Sequence, residues 1–222
     1  GVQEALLETL LNHGATTDQP HATGRSDSIV SACLANGRVK AAAFLASHGA
    51  RLTLASAAGI GRLDLVKNYF DDDGALKPTA TKKQLESGFR FACLYGYTDV
   101  VQFLLDKGAD LATHGDDGQT ALHCAVIGGH LDTVKLLLQR NPLLEAKNIY
   151  GGTVLGQTLW SAAHGGDAEL YIKIIEALMN AGARIPERHT PVNKEVDAWL
   201  EHHGSHAEPT WYWYEEKPRT TK

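Results

Sequence analysis

Three cysteines and one methionine are all the sulfur in this 222-residue chain. An odd number of thiols without a secretion signal argues against a disulfide framework and suits a reducing cytoplasm. No apolar run approaches the roughly eighteen residues that cross a bilayer, and no basic segment leading into an apolar one opens the chain. Neither a membrane partner nor an export signal is therefore expected. Lys and Arg number 21 against 26 Asp and Glu, for a net charge of -5, and they are scattered. A phosphate backbone would find no continuous positive field, which argues against nucleic acid as a partner. Catalytic signatures are missing too: no glycine-rich phosphate loop, no Gly-x-Ser-x-Gly elbow, and no carboxylate pair placed for acid and base roles. No catalytic, cofactor-binding or metal-ligating residue is assigned, and the chain reads as non-enzymatic.

Apolar residues make up 43% of the chain, enough for a sizeable core, and glycine punctuates it. Gly-Ala recurs at 14, 49, 74, 108 and 182, each time behind an apolar helical pattern such as "FLLDKGAD". A second glycine stands twelve residues earlier at Gly37 and Gly96 and, with one residue of slack, at Gly61. The intervals 14 to 49 and 74 to 108 are 35 and 34 residues; 108 to 182 is 74, two periods, with Asn141 and Pro142 ending a helix at the boundary between them. Each period reads as an inner helix, a glycine turn, an outer helix and a glycine cap. In "GYTDVVQFLLDKG", Val100, Val101, Leu104 and Leu105 share one helix face. Two short helices cannot bury that face alone, so the units must stack into a solenoid. The chain opens on Gly1 and runs at once into helix-like "VQEALLETLLNHGA", which predicts a trimmed or processed start with residues upstream.

The stretch "DGQTALHCAVIGGHLDTVKLLL" sets Thr120, Leu122, His123, Ala125, Gly129 and His130 in the register of the ankyrin repeat, and "FACLYGYTDVVQFLLDKGAD" matches in its second half. Over residues 1–185 the chain resembles the ankyrin repeat family, of a bacterial type. The resemblance implies an all-α solenoid of stacked helix-turn-helix units with short β-hairpin fingers. A partial first unit falls at 2–18, and five full units fall near 26–52, 53–78, 85–112, 117–147 and 153–185. Residues 186–222 read as a C-terminal capping helix, with Val192, Val196, Trp199 and Leu200 on one face, and an aromatic tail, "TWYWYEEKP", covering the last unit's flank. Departures from the repeat are visible. Gly37 to Gly61 spans 24 residues, too short for a finger, so one finger is expected to be missing. "IYGGTVLG" reads as an insertion in the last unit, and "AELYIKIIEALMNAG" as a longer outer helix.

Several groups could carry chemistry, and each has a plainer reading. Cys33, Cys93 and Cys124 fall near inner-helix glycines, where the repeat packs small residues between units, which predicts buried apolar thiols. His123 adjoins Cys124, but adjacent helix positions point apart and no third group orients them. By the resemblance, His123 instead ties neighbouring hairpins through hydrogen bonds. His202, His203 and His206 in "HHGSH" could hold zinc, yet Gly204 breaks the helix that would present them together. Asp71, Asp72 and Asp73 read as the solvated end of an outer helix, with contact to a basic partner as the other reading.

The chain is expected to be a cytoplasmic, monomeric, non-catalytic module, without cofactor, that binds a protein of unknown identity through a concave face. By the resemblance, that face comprises finger tips and the two positions before each inner-helix glycine: Ala35 and Asn36, Gly59 and Ile60, Leu94 and Tyr95, Ile127 and Gly128, His164 and Gly165. Ile60, Leu94, Tyr95 and Ile127 are expected to stand exposed as anchors, with Tyr95 and Ile127 neighbours in one footprint. His114, Asp116, Asp117 and Tyr150 on the fingers form the rim. The rival expectation is a metal-dependent or enzymatic role, in the C-terminal segment or in a domain upstream of residue 1.

Overall fold

Residues 2–17 and 28–208 are described by a computed structural model; the aromatic tail "TWYWYEEKP" lies outside them. A lone helix, α1 (Val2–Asn12), is followed by five helix pairs: α2 (Ile29–Ala35) with α3 (Val39–Ser47), α4 (Leu54–Gly59) with α5 (Leu63–Lys67), α6 (Lys82–Tyr95) with α7 (Thr98–Asp106), α8 (Ala121–Ile127) with α9 (Leu131–Leu138), and α10 (Val154–Ala163) with α11 (Ala168–Asn180). A last helix, α12 (Lys194–His202), closes the described chain. Hydroxyl caps start the first member of each pair. Ser28, Thr53, Thr81, Thr120 and Thr153 each accept a hydrogen bond from the backbone N–H three residues on, satisfying a donor that a first helical turn leaves unpaired.

These capped helices form an inner row in which α2, α4, α6, α8 and α10 pack in that order. Their partners form an outer row, running from α5 through α7, α9 and α11 to α12, with α1 against α3. This is the all-α stacked array that the glycine spacing predicts. Single antiparallel bridges close two fingers, Phe70 with Leu76 and His114 with Thr120. Only residues 48–53 separate α3 from α4, against 68–81, 107–120 and 139–153 at the later boundaries, so the finger expected to be missing is missing there.

Three local expectations are corrected. α5 ends at Lys67, so Asp71, Asp72 and Asp73 do not close a helix; they sit in a finger turn, where Asp71 Oδ1 accepts the Ala75 N–H at 2.7 Å. "IYGGTVLG" is no insertion, since its first residues finish a finger and Val154 starts α10, while α11 is long as expected, at 13 residues. The repeat pattern predicts strand only in fingers, but β1 (Arg188–His189) and β2 (His206–Ala207) pair in parallel on either side of α12 in the chain.

Burial follows the stacking. α4 and α8 have an inner helix on each side, and residues 54–59 and 121–126 are buried without a break. Outer helices bury one stripe, as in Val100, Val101, Leu104 and Leu105 of α7, each worth roughly 1.5–3 kcal/mol in transfer terms. Among the described residues α1 has no inner partner of its own. Its Leu6 and Leu10 stand in the register of the fully buried Val100 and Leu104, yet are 60% and 48% exposed. One large apolar cluster runs from Leu54 to Leu200, and a smaller one gathers Val30, Leu34, Ala42, Leu45 and Ala50. The small residues of α4, "LASAAG", let α6 reach past it. Phe91 lies over Gly59, where an added Cβ would come within 2.9 Å of it, and joins the smaller cluster.

Candidate functional site

Carbonyls at the ends of three inner helices, α2, α6 and α8, accept a hydrogen bond from a later unit. His130 Nε2–H donates to Leu94 O at 3.0 Å, Tyr171 O–H to Val126 O at 3.0 Å, and Tyr95 O–H to Leu34 O. The rings also cover turn glycines. Tyr97 lies against Gly61 and His130 against Gly96, and both Tyr97 and His130 directly follow the turn glycine of their own unit. In the last pair that position is Gly166, which has no ring to offer. Tyr171, from inside α11, occupies the space instead: a Cβ on Gly166 would lie 2.2 Å from its ring.

These ties revise the expected anchors. Ile60, Leu94, Tyr95 and Ile127 are half-buried rather than exposed. Tyr95 reaches back to α2 through its hydroxyl and packs against the smaller cluster. The left-handed glycine of the last turn is Gly165, at φ 101°, so the two positions before it are Ala163 and His164, not His164 and Gly165. His164 is exposed and stacked on Trp160 with ring centroids 4.0 Å apart, its Nδ1–H donating to Trp160 O at 2.7 Å. Asn36 is exposed at the end of α2, its amide donating to Ala32 O at 2.8 Å.

The fingers at 107–120 and 139–153 are joined to each other and to α6. His114 and Asp116 are exposed; Asp117 is half-buried, pairs with Arg90 of α6 at 3.3 Å, and accepts the Gln119 N–H at 3.0 Å. Asp117 O accepts the Ile149 N–H at 3.0 Å, joining this finger to the next. There the buried Asn148 sets the turn: its Oδ1 accepts the N–H groups of Tyr150 and Gly152, both at 3.0 Å. The tip this builds presents Ile149, 64% exposed, and Tyr150, 82% exposed, on backbone that is already ordered. Ile149 and Trp160 were not singled out from sequence. Trp160 carried a usable signal, since it stands five residues before a turn glycine, where the array otherwise holds Ala32, Ser56, Phe91 and Cys124.

Groups that could have done chemistry are engaged structurally. Cys93 and Cys124 are buried, and burial raises both thiols, Cys124 to about 11, so neither offers a thiolate at neutral pH. Cys33 is only partly buried, a departure from the expectation for all three. Among the described residues no three His, Cys, Asp or Glu side chains are placed to hold a metal; His203 donates from Nδ1 to Trp199 O at 2.7 Å. One arrangement invisible in the sequence joins β1, β2 and α12. The buried His189 contacts Ser205 Oγ through Nδ1 at 2.9 Å and Asp197 Oδ1 through Nε2 at 3.1 Å. Serine, histidine and carboxylate in line resemble an acyl-transfer triad, but in that template serine meets Nε2 and the carboxylate Nδ1. Here the nitrogens are exchanged and Ser205 is fully buried, so the line ties the C-terminal strand pair to α12.

His123 ties hairpins as its register implies. Nδ1 meets Thr120 Oγ1 at 2.9 Å, closing the cap of α8, and Nε2 meets Gly152 O of the next finger at 3.3 Å. Since a carbonyl only accepts, the proton sits on Nε2 and Nδ1 accepts. Desolvation lowers the pKa of His123 and of His130 below the ordinary 6.5. Below that value the unfolded chain takes up protons that the folded chain resists, so the stability these rings contribute is present above about pH 6.5 and lost as pH falls through it. Melting is expected at lower temperature at pH 5.5 than at pH 7.5. The difference should shrink in a His123→Gln/His130→Gln double variant, and a pH response as large as that of the parent would contradict the assignment.

The chain matches the family model for ankyrin repeats in three copies, over residues 52–149 and 89–189. It is 36% identical over 103 residues to an E3 ubiquitin-protein ligase, XBAT33, of Arabidopsis thaliana, covering 46% of this chain and 20% of that protein. It is 39% identical over 62 residues to inversin of Gallus gallus, covering 27% of this chain and 6% of inversin. The match thus spans a fifth or less of either relative's length. A chain in the structure of the Bdellovibrio bacteriovorus predatory endopeptidase Bd0816 in complex with immunity protein Bd3460 is 31% identical, covering 49% of this chain and 52% of that one, with a TM-score of 0.40. No helix among the described residues is long and apolar enough to cross a membrane.

Proposed function

The chain belongs to the ankyrin repeat family, and from that premise we propose that it is a non-catalytic module that binds a protein partner through its finger tips and inner-helix ends. Repeats of this family are in general protein-interaction modules rather than enzymes. The observation that carries the reading is the tip at Ile149 and Tyr150: large apolar side chains, exposed on a turn that Asn148 has already ordered. Preorganised aromatic and aliphatic anchors lose little entropy on binding and commonly carry most interface energy. Asn36, Tyr150, His164, His114 and Asp116 present side chains to the partner, while Ile60, Leu94, Tyr95, Asp117 and Ile127 shape the surface beneath. The setting proposed is a monomer in the cytoplasm, which suits three thiols that are all free.

The test is the affinity of an Ile149→Ala/Tyr150→Ala double variant for a partner captured with the parent chain. Loss of one anchor of about 2 kcal/mol weakens binding roughly 30-fold. Melting should stay within a few degrees of the parent, because exposed substitutions usually cost under about 0.5 kcal/mol each. Unchanged affinity in a folded double variant would remove the finger tip from the interface.

A further inference from the structure

The end of the inner row is left open on one face. α4 and α8, flanked by inner helices on both sides, expose nothing along residues 54–59 and 121–126. α10 packs on α8 and α11 but has no further inner helix beside it among the described residues. Its exposed positions are Gly156, Trp160, Ala163 and His164, spaced as one helical stripe, and none carries a carboxylate, ammonium or guanidinium. Trp160 stands five residues before its turn glycine, as do Ser56 and Cys124. Those two are covered; Trp160 is 57% exposed.

We propose that the chain's own C-terminal segment, with Trp211, Tyr212, Trp213 and Tyr214, docks on the part of this stripe at Gly156, Trp160 and Ala163, leaving the His164 edge at the helix end open, and closes the inner row as α12 closes the outer row. Position and reach support it. The chain leaves the described array at Glu208, just after β2, whose partner β1 follows α11 and precedes α12, and α12 packs on α11, which packs on α10. Two helix layers at 8–10 Å each put the stripe roughly 20 Å away, and residues 209–214 extended reach about 20 Å, which brings the end of the aromatic run, Trp213 and Tyr214, onto it. Chemistry supports it too. Four consecutive aromatic residues without charge match an uncharged stripe headed by an indole already stacked on His164, and offset or edge contacts between aromatic rings add to simple burial.

The test compares, in the full chain, Trp160→Ala, the tail variant W211S/Y212S/W213S/Y214S, and their combination. Each alone is expected to lower the melting temperature by roughly 5 °C. The combination should cost no more than the larger single change, because both remove one contact. Additive shifts, or unchanged melting of the tail variant, would overturn the proposal. Hydroxyl-radical labelling of Trp160 reads the same contact without substituting Trp160 itself. Labelling should be at least about threefold faster in the tail variant than in the parent at every protein concentration; equal rates would overturn it. Protection that grows with concentration alongside a dimer in sedimentation would assign the stripe to a second copy and overturn it as well.

Discussion

Tyr171→Ala is expected to lower the melting temperature by 10 °C or more. The side chain is 5% exposed and donates to Val126 O at 3.0 Å and Ile127 O at 3.3 Å across the boundary between the last two units. Truncating a buried aromatic costs about 3–5 kcal/mol, and losing the hydroxyl's hydrogen bonds to Val126 O and Ile127 O adds about 1; each kcal/mol shifts a domain of this size by about 2–4 °C. The geometry supplies its own control. Gly166 stands where Tyr97 and His130 stand in earlier units, and a side chain there would meet the Tyr171 ring at 2.2 Å and, less tightly, Ser161 O at 3.0 Å. Gly166→His should therefore destabilise the parent but recover part of the loss in the Tyr171→Ala background. If Gly166→His is equally harmful in both backgrounds, Tyr171 is not the stand-in for a missing ring.

Gly96→Val should cost nearly as much. Gly96 has φ 75°, and a Cβ there would lie 2.4 Å from His130 Nδ1. A left-handed conformation costs a residue with a Cβ about 1–2 kcal/mol, and a branched side chain makes it worse. The ring cannot yield freely, because its other nitrogen is bonded to Leu94 O. Displacing it adds about 1–3 kcal/mol of overpacking, for a melting shift of about 10 °C. Gly151→Ala is the comparison: φ is 80° but nothing lies within 4 Å, so only the backbone strain should appear, about 3–5 °C. Equal shifts for the two would mean that the ring over Gly96 contributes no tightness.

The array was legible in the sequence because its determinants are local and periodic. A hydroxyl at each cap, a glycine at each turn and an apolar stripe between them specify a helix pair without reference to anything distant, and the six-residue link at 48–53 can be counted directly. His123 was legible for the same reason, since its partner Thr120 is three residues away and Gly152 recurs one unit on. What could not be read depends on where side chains go between units. Tyr95 looked exposed at the end of its helix, but the thinness of α4 lets it reach Leu34, 61 residues earlier. Tyr171 lies outside the register that holds Tyr97 and His130, so no comparison of aligned positions reveals that it fills their place. His189, Asp197 and Ser205 belong to no repeat, and only the return of β2 to β1 brings them into line.

Mapping which residues a bound partner protects is the most direct test of binding through the finger and inner-helix edge. With a captured partner in excess, surface labelling should slow at His114, at Ile149 and Tyr150, and at His164, while the outer-helix residues Asp99, Asp132, Lys135 and Lys173 keep their rates. Protection confined to those outer-helix residues, with the finger tips labelled as fast as in the free chain, would contradict it.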